Sequence, residues 1–261
     1  MMELEKQIHE EDIDDVMFRE IGVSPEGHYL PSEIGNKYVA FCDILGFSSM
    51  VTKDFRGTLE AYHEFVKSID SVELEEIEVI IYSDSILIVG DELSKVVKAV
   101  QLLWFMALSH YFLIRGAIAY GKYYERRSGK NLVVLSDALV KAVTLEKEVK
   151  VPAVVLADHI EVPDDYWKIR CAYGALGAGV LHFRDRNIVN PFNSLWLKSA
   201  ANRVDMMAKE NPQYSSKYEW FLALSRAVAS EKFLIPEEVL ERFVREGIVT
   251  LNVAGQENDE S

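Results

Sequence analysis

The stretch IEVIIYSDSILIV (77–89) decides the fold. Two β-prone apolar runs, 77–82 and 86–89, flank the short polar break Ser83-Asp84-Ser85, as the strands and turn of a hairpin do. Upstream, GTLEAYHEFVKSI (57–69) places Leu59, Tyr62, Phe65, Val66 and Ile69 at helical spacing, and YVAFCDI (38–44) reads as a buried strand. Downstream, 93–111 reads as a long apolar helix and LIRGAIAY (113–120) as another strand. The order β-α-β-β-α-β predicts an α+β fold of the ferredoxin-like, split βαβ kind, with helices packed on one face of the sheet. SDALVKAVTLEKEVK (136–150) adds a helix with N-cap candidates at its start, and 151–160 adds a strand. Between them and the core, KYYERRSGKN (122–131) predicts an exposed hairpin or loop.

Around this unit, 37–160, the chain divides by texture. Residues 1–36 form an acidic, polar lead-in. Residues 161–254 form a mainly helical C-terminal extension packed on the central unit, with helices expected near 194–210, 215–230 and 236–246. Residues 255–261 read as a disordered tail.

Bulk properties exclude several classes. With 261 residues, 49% of them hydrophobic, the chain can bury a sizeable core. A net charge of −14 argues against nucleic acid as a partner, because backbone binding needs basic surface. A small anion would have to be met by local cations or bound metal. No apolar run reaches membrane-spanning length, so no membrane partner is expected. Two cysteines make no disulfide framework, and MMELEKQIHEEDIDD lacks the regions of a leader peptide; a cytoplasmic location is the expectation. Six scattered histidines show no metal-pair spacing.

Asp43 closes the first strand and Asp84 sits at the hairpin tip. In a split βαβ sheet the first strand lies beside the hairpin, so the two carboxylates can converge from 41 positions apart. Two hard oxygen ligands and a backbone carbonyl suit Mg²⁺ or Mn²⁺ bridging phosphate oxygens. Each aspartate also has an ordinary reading, as the cap of the next helix or as a turn residue.

Four words carry a family resemblance. FCDILGFSSMV (41–51), IYSDSILIV (81–89), LIRGAIAYG (113–121) and SDALVKAVTLE (136–146) resemble, in order, conserved segments of the class III nucleotidyl cyclases. The resemblance covers about 36–160 and makes 37–160 the catalytic domain. It implies a homodimer with active sites at the interface. It implies two divalent metal ions, Mn²⁺ or Mg²⁺, held by Asp43, Asp84 and the Ile44 carbonyl. Phe47 and Ser48 would lie against the triphosphate, and Phe41 joins them as a substrate-binding candidate. The implied reaction is attack of the ribose 3′-hydroxyl on the α-phosphorus, releasing pyrophosphate.

The sequence departs from the family at informative places. Val140 stands where the family orients the ribose with Asn, and Thr144 where it has a transition-state Arg. Ile80 falls near the lysine that reads purines. Arg115 is the candidate replacement cation, ahead of Arg126, Arg127, Lys130 and Lys141, and Tyr82 shares strand parity with Ile80, so it is a base-stacking candidate. YSDSILI, LIRGAIAYG and ALVKAVTLE are similar to the bacterial pyrimidine cyclases of antiphage signalling. That resemblance implies conversion of UTP to cyclic UMP, or of CTP to cyclic CMP, as a messenger for a separate cyclic-nucleotide-binding effector. The competing readings are a purine cyclase and an inactive nucleotide sensor or interaction module.

Overall fold

The computed structural model describes residues 34–128, 131–174, 177–230 and 233–250. Most of the expected lead-in, the expected tail and Lys130 lie outside these residues.

Strand β1 (Gly35–Ile44) alternates strictly near its end: Ala40, Cys42 and Ile44 point into the main core, while Phe41 and Asp43 take the other face. Two helices follow, α1 (Phe47–Lys53) and α2 (Phe55–Asp70). The Asp54 side chain caps α2, accepting from the Gly57 amide at 3.0 Å. Strands β2 (Ile77–Tyr82) and β3 (Ser85–Gly90) form the hairpin, with Tyr82 opposite Ser85. Helix α3 (Leu93–Ser109) is apolar on more than one side because it packs both on the sheet and against the C-terminal helices.

Strand β4 (Ile114–Ser128) runs far past the expected end, and β5 (Asn131–Ser136) returns along it. The basic segment is therefore largely strand. Helix α4 (Asp137–Glu148) starts on Ser136, whose hydroxyl accepts from the Leu139 amide and donates to the Lys122 carbonyl. Strand β6 (Val154–Leu156) is shorter than expected and pairs parallel to β4.

The sheet order is β2-β3-β1-β4-β6-β8-β7, with β5 on β4. Its first four strands have the split βαβ order expected from the hairpin stretch. Beyond these, β5 and β6 come from residues before 160, and β7 and β8 from residues after it. Following α5 (Asp164–Tyr173), β7 (Val180–Phe183) and β8 (Arg186–Val189) continue the sheet, β8 antiparallel to β6. Helices α6 (Leu197–Glu210), α7 (Ser215–Ala229) and α8 (Glu237–Arg245) complete this part. Phe221 of α7 ties it to the core, with its ring 5.6 Å from Trp104 of α3 and 5.1 Å from Phe192. Among the described residues no helix is long and apolar enough to cross a membrane.

Candidate active site

The end of β1 and the β2–β3 turn are locked together. The Ile44 amide donates to the Asp84 carbonyl at 3.1 Å, and Asp43 lies opposite Ser85 in the ladder. Ser83 takes a left-handed backbone, φ 55°, which is costly for a residue with a Cβ. Its carbonyl accepts a hydrogen bond from the Tyr62 hydroxyl, so a side chain of α2 holds the turn that presents Asp84. Both aspartates are half-buried.

Arg115 reaches Asp43 from β4, with Nη2 3.2 Å from Asp43 Oδ2. The close strand approach needs Gly116, where a Cβ would sit 2.5 Å from the Phe41 carbonyl oxygen. Behind Arg115 stands Glu146 of α4, whose side chain is only 5% exposed, with Oε1 2.6 Å from the guanidinium Nε. Neither of these two atoms has an aligned hydrogen-bond partner, so the pair is a charge contact. The guanidinium also donates to the Val149 carbonyl at 3.4 Å.

Arg115 thus faces Asp43 and Glu146, and Asp84 lies beside Asp43, so three carboxylates share one guanidinium, which leaves two negative charges when all are ionised. The effect is visible on Asp43. Burial, then the Asp84 charge, push its carboxyl up to about 6 against an ordinary 3.8; Glu146 and a hydrogen bond with Asp84 add to this, and Arg115 opposes it. Such a site gains from a divalent cation, which supplies the missing charge. Asp43 and Asp84 are the carboxylates at its centre that could hold one. Among the described residues no group of three or more His, Cys, Asp or Glu is gathered for a metal, so remaining ligands would be backbone oxygen, water or phosphate.

The other expected residues divide. Tyr82 is 82% exposed beside the turn and free to stack on a ring. Phe41 is half-buried, opposite Leu87. Ser48 is exposed on α1. The Phe47 ring is engaged in packing, 5.2 Å from Tyr62 and 6.5 Å from Phe112. Val140 and Thr144 sit on the exposed side of α4, and the Thr144 hydroxyl donates to the Val140 carbonyl. Lys141 pairs with Asp137, and Arg127 with Glu78 and Glu125. Arg115 is the cation brought to Asp43. The sequence reading missed Tyr62 and Glu146. The signal for Glu146 was its four-residue spacing from Ala138 and Ala142, which puts all three on the buried side of α4.

No family model matches the chain, and no curated protein sequence is similar to it. Some solved structures overlap it in part. The adenylyl cyclase CyaB from P. aeruginosa is 13% identical over 48% of this chain and 78% of that one, with a TM-score of 0.39. A dimeric guanylyl cyclase domain of a RhoGC fusion protein from the aquatic fungus Blastocladiella emersonii is 13% identical over 47% and 79%, at 0.40. A class III adenylyl cyclase-like ATP-binding protein from Pseudomonas aeruginosa is 10% identical over 66% and 40%, also at 0.40.

Proposed function

We propose that this chain is a nucleotidyl cyclase acting on a pyrimidine nucleoside triphosphate, UTP first and CTP as the alternative. The observation that carries the reading is the convergence of Asp43 and Asp84 at the end of β1, in a cluster with two surplus negative charges. Two divalent ions there, Mn²⁺ or Mg²⁺, would neutralise the triphosphate and make the attacking hydroxyl more acidic. Asp43, Asp84 and the Ile44 carbonyl would hold them. Arg115 keeps Asp43 in place and supplies positive charge beside the phosphates. Ser48 and the turn at Gly46 flank the triphosphate, with Phe41 near it.

The ribose 3′-oxygen forms a bond to the α-phosphorus and gives its proton to solvent. The bond from that phosphorus to the bridging oxygen breaks, and pyrophosphate leaves with the electron pair. The protein contributes position and charge complementarity. Tyr82 offers a ring face to the base. Ile80, which has no hydrogen-bonding side chain, does not support purine reading by a lysine.

A second copy completes the site in this reading. Tyr82, Val133, Leu135 and Val140 are 82%, 52%, 74% and 65% exposed, apolar surface that a second copy would cover. The cyclic nucleotide would leave as a messenger for a separate effector, in the cytoplasmic antiphage role that the sequence resemblance implies.

The test is incubation with UTP, CTP, ATP and GTP and Mn²⁺, with products resolved by mass. Cyclic UMP and pyrophosphate are expected. A cyclic purine product reassigns the base. No turnover of any triphosphate favours the inactive sensor, the reading to which Val140 and Thr144 lend weight.

A further inference from the structure

A cleft of about 580 Å³ lies on the helix side of the sheet, behind the Asp43 segment. Protein interiors rarely leave voids much larger than a water molecule, whereas ligand sites run from about 300 to 1,000 Å³. Its apolar wall includes Leu45, Met50, Leu113 and Met207, and Tyr214 and Tyr218 stand one helical turn apart along it. Lys53, Lys217 and His110 line it too, with Glu210 opposing them. The carboxylate of Asp54, also at the cleft, is committed to the α2 cap.

Tyr111 is the informative residue. Helix α3 ends with the Phe112 amide donating to the Ala107 carbonyl and the Tyr111 amide to Leu108, and Tyr111 has φ 63°. This is the helix-end position that glycine fills at least cost. A 46% exposed tyrosine there keeps a strained backbone, and its ring borders the cleft. The guanidinium of Arg203 lies 5.0 Å from the ring centre, which orients it.

We infer that the cleft binds a ring-bearing small anion, with the ring between tyrosines and the anionic group at Lys53 and Lys217. Two cationic side chains lining the cleft concentrate anions locally on a protein of net charge −14. The occupant is read at the active site. Leu45 and Gly46 line the cleft directly after Asp43 and Ile44, and the Leu45 amide donates to the Leu113 carbonyl at 2.8 Å, two residues before Arg115.

The probe is anilinonaphthalene sulfonate, followed by fluorescence and by hydrogen exchange of the full chain. One bound probe per chain is expected, with slower exchange across 43–50 and 111–116. Tyr111→Gly should melt at or above the wild-type temperature and bind more weakly. The double variant Lys53→Glu/Lys217→Glu should fold normally and lose at least about fivefold in affinity, the scale of two exposed charge contacts. Absence of binding, or affinity unchanged in both variants, overturns the site. Binding with unchanged exchange at 43–46 overturns its link to Asp43.

Discussion

The carboxylate end of β1 and the cleft behind it are separated by Ile44 alone, yet they are built in opposite ways. On the open side, Asp43, Asp84, Arg115 and Glu146 make a charged cluster that is short of cations. On the helix side, Leu45, Leu113 and the tyrosines make an apolar hollow that lysines also line. The contrast follows from the end of β1 at Ile44: the turn through Leu45 and Gly46, where φ is 80°, carries the chain off the strand and into the cleft wall, out of the alternation that governs Asp43. It teaches that one short segment can carry chemistry on one face and sense an occupant on the other.

The largest expected effect breaks the charged side alone. Asp43→Asn or Asp84→Asn should lower triphosphate turnover by about a thousandfold, the scale of losing a main electrostatic contributor. The cleft, which uses neither side chain, should still bind its aromatic probe. Equal loss of both activities in a folded variant would show that the two regions are one site.

Next in size is the support beneath Asp43. Glu146→Gln leaves the Arg115 guanidinium without its buried counter-charge, and a loss of about 2–3 kcal/mol in urea unfolding is expected. Arg115→Met strands Glu146 instead and should cost a similar amount. A double-variant cycle showing additive losses would mean that the 2.6 Å contact is not an energetic pair.

These two tests mark what the sequence could and could not disclose. The hairpin and its flanking strands were legible as short β-prone apolar runs broken by polar turns, α2 and α4 by their helical spacing, and α3 by the length of its apolar run. Asp43 and Asp84 were legible because a strand end and a turn converge in this topology. Strands β7 and β8 were not, because their turn is made by Arg184 and Asp185, both with positive φ (52° and 60°), where Asn-Gly would have announced it. Glu146 was hidden because a carboxylate in a helix ordinarily faces water. The cleft was hidden because its walls come from segments as distant as Leu45 and Tyr218.

The pH response sharpens the comparison further. The folded protein holds the Asp43 proton more tightly than the unfolded chain, since the carboxyl is pushed up to about 6 from 3.8. Stability from this group is therefore fully present below about pH 4 and lost as pH rises through about 6. Metal-free protein should lose melting temperature across that window, and Asp43→Asn should flatten the curve. Mn²⁺ competes with the same proton, so its affinity should climb through the same range. Probe binding in the cleft should stay level there. A wild-type stability that rises between pH 4 and 6 in step with the variant would place the Asp43 proton elsewhere.

The smallest effect tests the connection between the sides. Tyr62 belongs to α2, where its neighbour Ala61 lines the cleft, and its hydroxyl holds the Ser83 carbonyl beside Asp84. Tyr62→Phe keeps the ring against Phe47 and removes only that hydrogen bond, at a cost of about 1 kcal/mol in unfolding. The turn should then be held by the hairpin and the Ile44 amide on the Asp84 carbonyl, with its strained Ser83. Mn²⁺ should bind a few-fold more weakly, while the melting temperature drops only slightly. Because α2 is shared, probe binding in the cleft should slow exchange around Asp84 in the wild type and less in this variant. Equal slowing in both would mean that the signal travels through Leu45 and Leu113 and does not need Tyr62.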